Sequence, residues 1–158
     1  LFDRVMVDVP CSGLGALRRR PEARWRKSPR DIAELLPLQR QLLDAAIEAT
    51  RPGGVIAYVT CSPHAAETQN IVAEVLESGA VSLLDSAAAL REVALHTEGE
   101  NGEPVSVLAG EKDPGHTPEI KVKKGAPVVK ASENPTTAQL WPHVHGTDAM
   151  FLALLRKN

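Results

Sequence analysis

Short, dense apolar runs separated by stretches of helical periodicity set the layout of this chain. Arg4-Val5-Met6-Val7-Asp8 reads as a strand that stops at Pro10, which has no backbone N–H to give to a ladder. Val55-Ile56-Ala57-Tyr58-Val59-Thr60 is a second run of this kind, and Val81 to Leu84 is a third. Between the first two, Ser28-Pro29-Arg30-Asp31 supplies a helix start, with Ser28 as N-cap and Pro29 at the first helical position. Pro37 is expected to end or kink that helix. Leu38, Leu42, Ala45, Ala46 and Ala49 then repeat at helical spacing to about Arg51, where Arg51-Pro52-Gly53-Gly54 signals a stop and a turn. A further helix is expected from about Pro63 to Glu77, closed by Gly79.

Strands alternating with helices predict an α/β fold with a parallel sheet and right-handed crossovers. Ala87 to Ala94 fits a short helix. From Glu98 to Pro135 the chain is rich in Gly, Pro, Glu and Lys and has no helical period. Ile120-Lys121-Val122 and Val128-Val129-Lys130 flank Gly125 as the arms of a small hairpin would, so 98–138 reads as a loop or hairpin insertion. Order returns at Leu140-Trp141-Pro142, and Met150 to Leu155 forms a last strand.

The 158 residues, 43% hydrophobic and 24% charged, suffice for one globular domain with a real core. No apolar run reaches the roughly 18 residues needed to span a bilayer. Two cysteines without metal-ligand spacing predict neither a metal site nor a disulfide scaffold, and fit a reducing, cytoplasmic setting. A net charge of −2 predicts no global attraction to nucleic acid, so a polyanion site has to be a local patch. One candidate exists: Arg18, Arg19, Arg20, Arg24, Arg26, Lys27 and Arg30 stand against the single acid Glu22, with Trp25 among them. Arginines there would meet phosphates and Trp25 would stack on a base; a solvated loop is the plainer reading.

The two cysteines follow the first two strands. Chemistry in open α/β sheets gathers beyond the carboxyl ends of the strands, so Cys11, Cys61 and Asp8 are expected to converge on one rim. A thiolate is a strong nucleophile at neutral pH once its proton is easily lost. Cys61 precedes the expected helix, whose first turn at Ser62 or Pro63 would favour a thiolate; it also fits a small hydrophobe ending a strand. Asp8 either meets a ligand amine or caps its own backbone as an Asx turn. His64 suggests a Cys–His pair, although such pairs usually join distant segments. Asp148 is a turn residue unless its loop folds over the crevice.

Taken together, Asp8-Val9-Pro10-Cys11-Ser12-Gly13-Leu14-Gly15, Arg20-Pro21-Glu22-Ala23-Arg24-Trp25, Leu38-Gln39, Arg51-Pro52-Gly53-Gly54, Tyr58-Val59-Thr60-Cys61-Ser62, Glu67 with Asn70, and the closing Leu140-Trp141-Pro142-His143 and Gly146-Thr147-Asp148-Ala149 resemble the Sun/Fmu family of RNA (cytosine-5)-methyltransferases. The match is to the C-terminal half of the catalytic domain, with Ala149 where the family commonly has Gly. This resemblance implies a partial class I methyltransferase (Rossmann-like) sheet with flanking helices, its first strands lying upstream of Leu1. It implies S-adenosylmethionine as methyl donor, and RNA, first of all ribosomal RNA, as substrate. Cys61 would attack C6 of a cytosine and Cys11 would help resolve the adduct. Asp8 and the Pro10 carbonyl would hold the base edge and border the cofactor. Arg18, Arg20, Arg24 and Trp25 would contact RNA.

Most of the cofactor site is expected upstream of Leu1. The isolated chain should therefore bind S-adenosylmethionine no tighter than millimolar, and it should self-associate through the bare edge of strand 4–8. Alternatives are a tRNA substrate, a non-catalytic RNA-binding module on the same fold, an amino-methyltransferase, and a thiol redox or peptidase role.

Overall fold

A computed structural model describes residues 1–93, 96–98, 104–106 and 136–158. In chain order the elements are β1 (Phe2–Asp8), α1 (Ala23–Arg26), α2 (Pro29–Ala49), β2 (Thr50–Thr60), α3 (Gln69–Glu77), β3 (Val81–Leu83), α4 (Ser86–Val93), β4 (His96–Glu98), β5 (Pro104–Ser106), β6 (Ala138–Gln139), α5 (Pro142–His145) and β7 (Phe151–Lys157). Two 3-10 turns, Leu14–Ala16 and Ala65–Glu67, follow the two cysteines.

The main sheet runs β1-β2-β7-β3, with β6 also paired to β7, while β4 and β5 form a separate antiparallel pair. β1 and β2 are parallel, as expected, with Asp8 opposite Val59. The expectation of a parallel sheet does not extend to β7, which is antiparallel to both β2 and β3. The cause is the path of the chain: Phe151 starts β7 opposite Thr60, at the rim where β2 ends, so β7 can only run back. β1 forms an edge of the sheet, with Phe2 and Met6 exposed.

Three local expectations also change. Pro37 neither ends nor splits α2, which runs unbroken from Pro29 to Ala49. The backbone bond that a helix-interior proline removes costs about 3 kcal/mol, and burial of Ile32, Leu43, Ala46 and Ile47 on this one helix outweighs it. The helix is also turned from its predicted stripe. Leu38 and Ala45 are exposed, and Gln39, Leu43 and Ala46 face inward. Second, Arg51-Pro52-Gly53-Gly54 is a bulge inside β2, not a turn before it: the pairing slips between Phe2 and Arg4, and Gly53 absorbs the kink at φ +76°. Third, the helix predicted from Pro63 is a 3-10 turn at Ala65–Glu67, a break at Thr68, and then α3. The predicted hairpin at 120–130 lies outside the described residues.

The core lies where α2 and α3 cover the sheet. Leu43, Ile56, Tyr58, Val72, Phe151, Ala153 and Leu155 are fully buried, each large apolar side chain contributing about 1.5–3 kcal/mol. Tyr58 and Phe151 meet edge to face at 6.2 Å, and the Tyr58 hydroxyl donates to the Glu67 carbonyl at 2.8 Å. That bond ties the core directly to the rim.

Candidate thiol site at the sheet rim

Parallel pairing of β1 with β2 carries both cysteine loops to one rim. The ladder continues one residue past Asp8, through Val9 N–H to the Val59 carbonyl at 3.1 Å, before the chain turns away. The Cys11 and Cys61 sulfurs then stand 3.3 Å apart, both thiols free and half-buried. The predicted convergence of Cys11, Cys61 and Asp8 is thus present, with Asp8 exposed beside the pair.

Close backbone contacts hold the loops. Gly15 N–H donates to the Cys61 carbonyl at 2.9 Å, and the Gly15 carbonyl accepts from Ala149 at 2.9 Å. A Cβ at position 15 would lie 2.1 Å from the Ala149 carbonyl oxygen and 2.6 Å from that of Cys61, so only glycine fits. The 146–149 segment therefore packs behind the cysteine loops. Its Asp148 accepts from Arg19 Nε at 2.7 Å, with Arg18 at 3.8 Å, and so anchors the start of the basic segment.

Beneath the thiols lies Glu67, with no exposed surface. Its Oε1 accepts from Ser12 N–H at 2.7 Å and Gln39 Nε2 at 3.0 Å; its Oε2 accepts from the hydroxyls of Ser12 and Ser62, each at 2.6 Å. Gln39 Nε2 also donates to the Pro10 carbonyl at 2.9 Å. Burial alone would raise the Glu67 carboxyl, but bonds from Ser12, Ser62 and Gln39 outweigh it and hold the group below its ordinary range. Sequence reasoning named Glu67 and Gln39 only as matching positions and gave them no role. A signal existed: Gln39 sits at i, i+4, i+7 with Leu43 and Ala46, a polar residue on an apolar stripe.

The two sulfurs share a proton. Accepting the Cys61 thiol proton, with help from the Gly13 N–H, draws Cys11 down to about 6 despite its burial and the Glu67 charge. Cys61, donor to Cys11 and desolvated, moves the other way. The pair therefore has an easily lost first proton and a strongly held second one. The expected helix N-terminus at Cys61 is absent, because α3 begins only at Gln69; the Cys61 sulfur faces the Cys11 sulfur instead. His64 is exposed, and its Nδ1 accepts from Ala66 N–H at 3.2 Å, capping the 3-10 turn; it does not pair with Cys61.

The Asp8 carboxylate makes no hydrogen bond among the described residues, which sets aside the Asx-turn reading. Pro10 is exposed. Arg18, Arg20, Arg24 and Trp25 are all exposed on the segment leading from the thiols into α2; the indole is 84% exposed, and the Arg24 guanidinium lies 5.8 Å from its ring. Among the described residues no group of three or more His, Cys, Asp or Glu is placed to hold a metal, and no helix is long and apolar enough to cross a membrane.

A sheet of this order with flanking helices, and thiols beyond its strand ends, defines a Rossmann-like methyltransferase fold. A methyltransferase homolog from Pyrococcus horikoshii shares it with a TM-score of 0.62 at 25% identity, over 99% of this chain and 39% of that one. The chain belongs to the RsmB/F family of 16S rRNA methyltransferases, which it matches over residues 1–156. The methyltransferase candidate Rv1407 of Mycobacterium tuberculosis is 49% identical over 99% of this chain, which spans 26% of that protein's length. A ribosomal RNA small subunit methyltransferase B of Erwinia tasmaniensis is 51% identical over 39% of this chain and 14% of its own.

Proposed function

We propose that this chain carries the reacting thiols of an S-adenosylmethionine-dependent RNA (cytosine-5)-methyltransferase acting on ribosomal RNA in the cytoplasm. The observation that carries the reading is the 3.3 Å approach of Cys11 and Cys61 beside an exposed carboxylate. Cytosine C5 is too poor a nucleophile to take a methyl group unaided, and covalent catalysis by a thiol overcomes this.

In this mechanism Cys61 passes its proton to the Cys11 thiolate across their contact, and its sulfur bonds to C6 of the cytosine. The C5–C6 π pair moves onto C5, which then takes the methyl group. Loss of the C5 proton to solvent and breakage of the S–C6 bond restore the ring. Cys11 returns its proton to the departing sulfur, which is its part in releasing product.

Asp8 and the Pro10 carbonyl accept from the N4 amino group at the N3/N4 edge of the base. S-adenosylmethionine, when bound, supplies the methyl group as an electrophile, and a carboxylate and a carbonyl suit the positive charge it carries. Arg18, Arg20 and Arg24 neutralise phosphates, and Trp25 offers a stacking face to a base taken out of its stack. Relatives named for ribosomal RNA favour that substrate over tRNA.

Trapping tests the reading. RNA containing 5-azacytidine should form a covalent, denaturation-resistant complex with the intact protein in the presence of the methyl donor. Binding of this RNA without any adduct would replace the enzyme by a non-catalytic RNA-binding module.

A further inference from the structure

We propose that Glu67 is the positioning residue of the thiol pair: its buried carboxylate, seated under both cysteine loops, sets the distance between the two sulfurs. The catalytic consequence rests on the cytosine-5 reading above; the clamp itself rests on geometry alone.

A carboxylate has about four acceptor positions. Here four donors fill them, Ser12 N–H, Ser12 Oγ, Ser62 Oγ and Gln39 Nε2, at 2.6–3.0 Å. Ser12 adjoins Cys11 and Ser62 adjoins Cys61, so loops 50 residues apart in sequence are fastened to one group. Gln39 extends the grip to the Pro10 carbonyl, and the Tyr58 hydroxyl holds the Glu67 backbone from below at 2.8 Å.

The charge is informative. Among the described residues no cation pairs with Glu67, and a buried carboxylate without a cation is a poor way to gain stability; an apolar residue of similar volume generally serves better. What the carboxylate does provide is acceptance alone. Both serine oxygens are used as acceptors elsewhere, Ser62 Oγ by His64 N–H at 3.1 Å and Ser12 Oγ by Leu14 N–H at 3.5 Å, which leaves their protons for Glu67. With no exposed surface, Glu67 cannot touch substrate and acts only through the loops.

The groups facing the sulfurs are Asp8 from the end of β1, Glu67 below, Arg19 from the loop after Cys11, and Tyr58 from β2. Removing Glu67 therefore has two opposed effects on the thiols. Loss of the spacing lets the first proton be held more tightly, whereas loss of the negative charge lets it go more easily. Glu67→Ala does both. Glu67→Gln removes the charge, keeps the size, and sets an NH2 donor against two of the four donors. Ser62→Ala keeps the charge and removes one arm.

The experiment is a thiolate titration by ultraviolet absorbance on the intact protein, with folding checked by circular dichroism and RNA methylation measured in parallel. Glu67→Ala should move the first midpoint from about 6 toward the ordinary thiol value, roughly 8.5. Its kcat should fall at least about tenfold, with KM for RNA little changed, as expected when only transition-state geometry is lost. Ser62→Ala should show a smaller upward shift. Glu67→Gln, which loses the acceptor oxygen on one side, should lower kcat as well, by less than Glu67→Ala.

A folded Glu67→Ala protein with the wild-type midpoint would overturn the proposal. If Glu67→Ala does not fold, Ser62→Ala decides, and an unshifted midpoint there overturns it equally. Glu67→Gln with wild-type kcat would also overturn it, because acceptance at all four positions would then not be what holds the loops. The titration uses neither RNA nor methyl donor, so absent methylation in the wild type would sink the enzymatic reading and leave the clamp to be judged by its own readout.

Discussion

The cysteine loops and the basic segment that follows them are neighbours along the chain and are built in opposite ways. Cys11 and Cys61 sit over a buried carboxylate with every acceptor position filled, and behind them Gly15 is locked between Cys61 and Ala149. From Arg18 to Arg30 the chain lies on the surface, tied down by Arg19 to Asp148 and, where α2 begins, by the mutual bonds of Ser28 and Asp31. Under the proposed function the contrast follows from the two tasks. Bond-making between a sulfur and a ring carbon needs atoms held to fractions of an ångström. Holding a polyanion needs charge within reach, and a phosphate can be met from many side-chain positions.

Cysteine substitutions should break the first half of that contrast most completely. Cys61→Ala in the intact protein should abolish both methyl transfer and the RNA adduct. Cys11→Ala should instead let a covalent RNA–protein complex accumulate on denaturing gels. An adduct in the Cys61 variant and none in the Cys11 variant would reverse the assigned roles.

Gly15→Val comes next, since its side chain has to displace backbone at both Ala149 and Cys61. Overpacking of this kind costs about 1–3 kcal/mol, so Tm should fall by several degrees in a melting curve. An unchanged Tm would mean that the loops are less tightly locked than the contacts imply.

Trp25→Ala addresses the other half. Loss of a stacking face is worth about 1–3 kcal/mol, so RNA should bind at least about fivefold more weakly by titration while Tm stays put. Equal RNA affinity would show the indole to be an idle surface residue.

The smallest effect belongs to Ser28→Ala, which removes an exposed helix cap and should lower Tm by a few degrees at neutral pH. Asp31 adds a pH signature. Ser28 holds its carboxyl below the ordinary range, so its stabilisation is present above the usual carboxylate value and is lost as pH falls through the lowered one. The Tm gap between wild type and variant should therefore be flat near neutrality and close in acid.

Much of the site was legible because its signals are local. An apolar run followed by Pro10, and another ending at Thr60, place two thiols beyond two strands with no knowledge of the rest of the chain. The Ser28-Pro29 helix start is equally local, and it forms as read, with Asp31 closing a capping box. Pro37 shows the limit of such signals. Its helix-breaking tendency is real, but its outcome depends on what Ile32, Leu43 and Ile47 bury on either side.

By itself the sequence determined which side chains end the first two strands and which segment bears the positive charge, since both follow from composition within a few residues. Tertiary structure alone decided the rest. β7 runs antiparallel because its first residue meets the end of β2. Glu67 becomes a clamp only when Ser12, Gln39 and Ser62 arrive from three separate segments. The proton on the thiols becomes easy to lose only at a 3.3 Å sulfur–sulfur distance. Hydrogen bonds and charge interactions fall off steeply with separation, so they are properties of the packed arrangement and leave no periodic trace along the chain.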